Sequence, residues 1–104
     1  MPAAFFVVRA IVPDAGKRAA FDKWYETEHL PDAMETFGVS RASRFWSLDD
    51  PSLHVAMYQF DDEARLAAML EGDALQKLVV DFNRDWPDVK RSRETLVLAQ
   101  EVST

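Results

Sequence analysis

The stretch WYETEHLPDAMETFG, Trp24 to Gly38, decides how the chain is read, because a helical pattern runs into a proline within it. Phe21, Trp24, Tyr25 and Glu28 stand at i, i+3, i+4 and i+7, the spacing of one helical face. Leu30 precedes Pro31, and a residue before proline is pushed away from the α region. The pattern predicts a helix that breaks or turns near His29–Leu30. Pro31 is well placed to open a second, short turn running to about Thr36, and Gly38 closes it.

On the N-terminal side lies AAFFVVRAIV, Ala3 to Val12, which is apolar on both alternating faces and stops at Pro13. It reads as a strand buried on both sides, followed by Asp14 as a helix cap. On the C-terminal side, VSRASRFWSL (Val39 to Leu48) and LHVAMYQF (Leu53 to Phe60) read as two strands joined by the turn DDPS into a hairpin. Asp61 opens a helical stretch that ends near Gly72. Asp73 with Gln76 resembles a capping box for the next helix, whose stripe is Leu75, Leu78, Val79, Phe82 and Trp86 before Pro87. The last strand is predicted from about Val89 to Val102.

The order β-α-β-β-α-β is that of the ferredoxin-like α+β fold, a four-stranded antiparallel sheet with both helices on one face. If Leu48 meets Leu53 across the hairpin, one sheet face holds Trp46, Leu48, Leu53, Val55 and Met57, with Arg44 beside them. The other then holds Phe45, Ala56, Tyr58 and Phe60. Both are largely apolar, so a sheet face is left uncovered in a monomer, and a symmetric homodimer is the expected cover.

Composition sets the remaining bounds. The 104 residues suit one domain, 1–104. A net charge of −6 argues against nucleic acid or an anionic membrane as partner, since both reward a basic face. With no cysteine, disulfides, thiolate metal sites and cysteine nucleophiles drop out. No segment approaches the roughly 18 apolar residues of a membrane span, and a cytoplasmic location is expected.

The run W-x-x-x-EH-x-P (Trp24, Glu28, His29, Pro31), followed by a glycine ahead of strand two, resembles the dimeric α+β barrel superfamily, and within it the EthD-like ether-degradation proteins. The resemblance implies that two subunits pack sheet against sheet into an eight-stranded barrel. It also implies that His29 lies near a pocket between the first helix and the sheet. Members include cofactor-free monooxygenases of aromatic polyketides, a lactone isomerase, haem-handling proteins and domains without known activity, so the resemblance speaks to fold before reaction.

Several residues are candidates for chemistry. His29 suits proton transfer near neutrality, or simply caps the C-terminal end of its helix. Glu28, among aromatics, calls for a raised pKa or an ionic partner. Arg44 is that partner, or else the ligand of a substrate carboxylate or enolate. Trp24, Tyr25, Trp46, Phe82 and Trp86 line an apolar pocket or serve as core alone, and Tyr58 adds a hydroxyl. His54 is expected at the surface or at the dimer interface. Lys90, Arg91 and Arg93 read as a solvated or interface edge. Two histidines 25 positions apart with no motif between them point to no metal, and no nucleotide or serine-hydrolase motif occurs.

These readings converge on a small homodimer, without cofactor, that binds a hydrophobic or aromatic small molecule between helix and sheet. It would work as an acid/base enzyme of isomerase or dehydratase type, or as a cofactor-free monooxygenase. The alternative is a non-catalytic binding or accessory domain of the same fold.

Overall fold

Two apolar faces on a single β-strand demand cover on both sides, and the first strand takes the place in the sheet where that demand is greatest. In the computed structural model, which describes residues 2–104, four strands form one antiparallel sheet: β1 (Ala4–Ile11), β2 (Arg41–Trp46), β3 (Leu53–Phe60) and β4 (Lys90–Val97). Their order is β2-β3-β1-β4, which puts β1 and β3 at the centre. The helices are α1 (Arg18–Trp24), α2 (Leu30–Phe37), α3 (Glu63–Glu71) and α4 (Ala74–Asp85). The architecture is the expected ferredoxin-like α+β arrangement.

The predicted break at His29–Leu30 does not occur. Between α1 and α2 the residues Tyr25–His29 wind as a π-helical segment, so the chain stays helical from Arg18 to Phe37. Leu30 keeps α dihedrals (φ −65°, ψ −47°) despite the following proline, and its N–H bonds to the Tyr25 carbonyl five residues back. A π-turn shifts the hydrogen-bond frame by one residue, and the shift relieves the mismatch that Pro31 brings to an ordinary α-ladder. The helix ends where the glycine was expected to end it. Gly38 takes φ 69°, its N–H bonds to Glu35 O, and the Val39 N–H bonds to Met34 O, the paired bonds of a Schellman cap.

The hairpin register differs from the expectation by one residue. Trp46 pairs with His54, Phe45 with Val55 and Arg44 with Ala56. Leu48 lies beyond the end of β2. A one-residue slip exchanges the faces of a strand. Trp46 and Arg44 therefore share the helix-covered face with Ala56, Tyr58 and Phe60, while Phe45 joins Leu53, Val55 and Met57 on the open face. The tight DDPS turn sets this register: Ser47 Oγ accepts the N–H groups of Asp49 and Asp50, and Asp50 accepts the N–H and hydroxyl of Ser52. The same slip carries His54 inward. It is fully buried, not at the surface or on the open face.

Three smaller departures follow from partners and caps. β4 stops at Val97, and after the Leu98 N–H bonds to Ala3 O β1 offers no further partner, so the strand does not reach Val102. Helix α3 is capped by Asp62, whose carboxylate accepts from Arg65 N at 2.9 Å, one residue after the expected Asp61. Asp73 makes no side-chain cap; a backbone bond from Gln76 N to Asp73 O takes its place.

The core sits between helices and sheet. Phe21 is its hub, fully buried, with edge-on contacts to Trp46, His54, Phe82 and Trp86 at centroid distances of 6.1, 5.3, 5.9 and 5.1 Å. On the other side of the sheet Phe45 and Leu96 stay 49% and 42% exposed, and Arg9 pairs with Glu94 across β1 and β4. Among the described residues, no helix is long and apolar enough to cross a membrane.

Candidate functional site

The π-segment decides which side chains face inward. An α-helix advances about 100° per residue, which would keep Glu28 under Phe21 and Tyr25. The wider i→i+5 turn advances each residue less, so His29 falls into line with Phe21 and Tyr25, and Glu28 swings into solvent. Phe21, Tyr25 and His29 are buried and Glu28 is exposed. The expected Glu28–Arg44 pair is absent. Arg44 instead bonds Asp22 Oδ1 at 3.0 Å.

His29 forms part of the wall of a cavity of about 530 Å³ between α2, α4 and strands β1, β3 and β4. Phe6, Phe37, Tyr58 and Phe82 give it an aromatic lining. The imidazole stacks flat on Trp24 (4.6 Å, 18°) and meets Tyr25 and Phe82 edge-on at 4.8 and 5.5 Å. Burial lowers its pKa from 6.5 to about 4, and the Arg91 guanidinium adds to the fall, against weaker pulls from Asp32, Asp81 and Asp85. His29 is thus neutral at physiological pH, with a nitrogen lone pair to offer.

Tyr25 and Tyr58 also reach the cavity, their hydroxyls 3.3 Å apart. Burial pushes the Tyr25 phenol up to about 12. Burial and the neighbouring Tyr25 push Tyr58 further still. Both remain protonated, and since one hydroxyl donates to the other, the pair keeps one O–H free to donate to a ligand.

Of the residues picked from the sequence, the structure brings His29, Tyr25 and Phe82 together at the cavity. Trp24 backs His29 without lining it, and Trp86 borders a separate groove with Pro13 and Lys17. Arg44 and Trp46 belong to a second network. Asp22 Oδ1 accepts from Arg44 Nη1 at 3.0 Å and from Trp46 Nε1 at 2.8 Å, and those bonds hold the Asp22 carboxyl below its usual range. Arg44 Nη1 also lies 3.1 Å from His54 Nε2. A guanidinium only donates, so Nε2 accepts and the His54 proton sits on Nδ1. That atom is buried without a hydrogen-bond partner among the described residues. Burial, reinforced by Arg44, lowers His54 to about 4.

Arg91, expected with Lys90 and Arg93 on a solvated or interface edge, lines the cavity with Arg93. Its guanidinium lies 4.0 Å over the Phe82 ring and donates to Asn83 Oδ1 at 2.7 Å. Pairing of β4 with β1 sets Arg91 opposite Ala10 and Arg93 opposite Val8, on the helix-covered face. In KRSRETLV both alternating sets are mainly polar, so hydropathy alone could not choose the inward one.

No protein-family model matches the sequence, and no curated protein matches it. Solved structures do match. SnoaB, a cofactor-independent oxygenase from Streptomyces nogalater, in a mutant form, aligns over 100% of both chains with a TM-score of 0.74 and 14% identity. An EthD family protein from Bacillus halodurans aligns over 98% of this chain and 100% of its own, with a TM-score of 0.66 and 15% identity. These likenesses show a shared ferredoxin-like α+β fold. An antibiotic biosynthesis monooxygenase-like protein from Nitrosomonas europaea shares the fold over 99% and 97% of the two chains, at 17% identity and a TM-score of 0.64. Identities this low speak for the fold of the single chain and leave the chemistry to the cavity itself.

Proposed function

We propose that the cavity binds an aromatic small molecule and that His29 removes a proton from it. The observation that carries this reading is a buried, neutral imidazole in the wall of an aromatic cavity large enough for a polycyclic ligand. Tyr25 and Tyr58 supply a hydroxyl for the oxygen on which negative charge gathers as the carbon acid ionises. A histidine with a pKa of about 4 is a weak base in the empty site. Anionic charge developing beside it gives the imidazolium a counter-charge and raises its basicity when it is needed.

Proton removal is the first step of isomerisation and of cofactor-free oxygenation alike. SnoaB's activity as a cofactor-independent oxygenase favours the second. An activated CH₂ loses its proton to His29, the carbanion reacts with O₂, and loss of water leaves a carbonyl, so CH₂ and O₂ give C=O and H₂O with no further reductant. The open sheet face, with Phe5, Phe45, Val55 and Met57, supports a homodimer as the working unit, and the proposed setting is cytoplasmic.

Anthrone, a tricyclic ketone with an acidic benzylic CH₂, is a suitable probe. The native protein should speed oxygen uptake and anthraquinone formation, and His29→Gln should lose about a hundred-fold or more of that rate, the usual worth of a positioned base. Anthrone that binds both proteins and is turned over by neither would mark a non-catalytic binding domain instead.

A further inference from the structure

The charge of the cavity is opposite to that of the chain. Asp and Glu outnumber Lys and Arg by 18 to 12, yet the cavity wall carries Arg91, Arg93 and no carboxylate. The nearby acids of α4 are otherwise engaged, since Asp81 and Asp85 both pair with Arg84. Among the described residues neither Arg91 nor Arg93 forms an ion pair. The partner of Arg91 is the neutral amide oxygen of Asn83. Burial weakens the hold of Arg91 on its proton, against a pull from Tyr25 and with a smaller push from Arg93, as befits a cation set into the structure without a counter-ion.

Resting on the reading above, we propose that the cavity's ligand is an aryl carboxylate, with its carboxylate bound by Arg91 and Arg93 and its rings among Phe6, Phe37 and Phe82. The Arg91 guanidinium sits 4.0 Å over the Phe82 ring, and its planar donor fork suits the two oxygens of a carboxylate. The β4 register brings Arg93 to the same side of the sheet two residues on, so both cations belong to the β4 wall of the cavity. His29 feels the Arg91 charge directly. A bound carboxylate offsets that charge, the second cause of the low His29 pKa, while burial, the larger cause, remains.

The test compares 2-naphthoate with its neutral counterpart 2-naphthamide by isothermal titration calorimetry, on the native protein, Arg93→Gln and Arg91→Gln. Arg93 is exposed, so its variant keeps the fold even if the half-buried Arg91 variant does not. The native protein should bind the acid at least about ten-fold more tightly than the amide, and either substitution should reduce that preference to about three-fold or less. Equal affinity of the native protein for acid and amide overturns the carboxylate assignment and leaves the aromatic cavity standing. A preference that survives in Arg93→Gln shows that Arg93 is no part of the clamp and overturns the two-arginine assignment. If the native protein binds neither probe, the cavity reading falls, and this one with it.

Discussion

Replacing His54 with glutamine tests the buried network most directly, because the effect is expected in the pH dependence of stability. The glutamine side-chain oxygen can accept the Arg44 hydrogen bond that His54 Nε2 accepts at 3.1 Å, while removing a titrating group. Folding depresses the His54 pKa from 6.5 to about 4, through burial first and Arg44 second. The unfolded chain therefore binds a proton that the folded chain refuses. The stability that neutral His54 contributes is fully present above pH 6.5 and is lost as pH falls towards 4. At about 1.4 kcal/mol per pKa unit, that loss is on the order of 3 kcal/mol. In the middle of the window the folded and unfolded states differ by nearly one proton, a slope of about 1.4 kcal/mol per pH unit from this residue alone. His29 adds a similar slope in the same window, since its pKa falls likewise.

The assay is urea unfolding followed by tryptophan fluorescence at half-unit steps from pH 4.5 to 7.5, at fixed protein concentration because any dimer makes stability concentration-dependent. The slope between pH 5 and 6 should fall by about half of its histidine-dependent part in His54→Gln, whatever the substitution does to stability at pH 7.5. If the two slopes coincide, His54 is not held neutral by its surroundings, and the reasoning fails.

Two further outcomes follow from the backbone and from the open face. Gly38→Ala meets no atom within 4 Å of the added Cβ but must keep φ 69°, so it should cost about 1 kcal/mol through backbone strain alone; an unchanged urea midpoint would count against the left-handed cap. Phe45→Asp places a charge on the open sheet face, where Phe45 is half-exposed in the single subunit. The native protein should run at twice the 11.9 kDa chain mass in light scattering, and the variant at the single mass with its far-UV circular dichroism unchanged. A native monomer would dismiss the proposed dimer.

The element order, and with it the ferredoxin-like fold, was legible because each segment carries its own local cause: the two-faced apolar run of β1, the Leu75–Trp86 stripe of α4, and the Gly38 stop. His29 was legible as a chemical candidate because its residue type restricts what it can do. The failures share a cause. Glu28 and His29 are neighbours, and a single π-turn decides which of them faces the core. His54, Trp46 and Arg44 depended on one residue of hairpin register, which the Ser47–Ser52 turn sets. Arg91 and Arg93 depended on how β4 pairs with β1.

By itself, then, the sequence determined the α+β topology, the excess of apolar surface on the sheet, and the presence of a histidine inside an aromatic helix. Only the tertiary structure decided that Glu28 faces solvent, that His54 lies beneath Arg44, and that an acidic chain lines its cavity with two arginines. The physical reason is that local pattern sets which elements form. The face a residue presents turns on one-residue shifts in helical frame or strand register, and packing between distant parts of the chain settles those shifts.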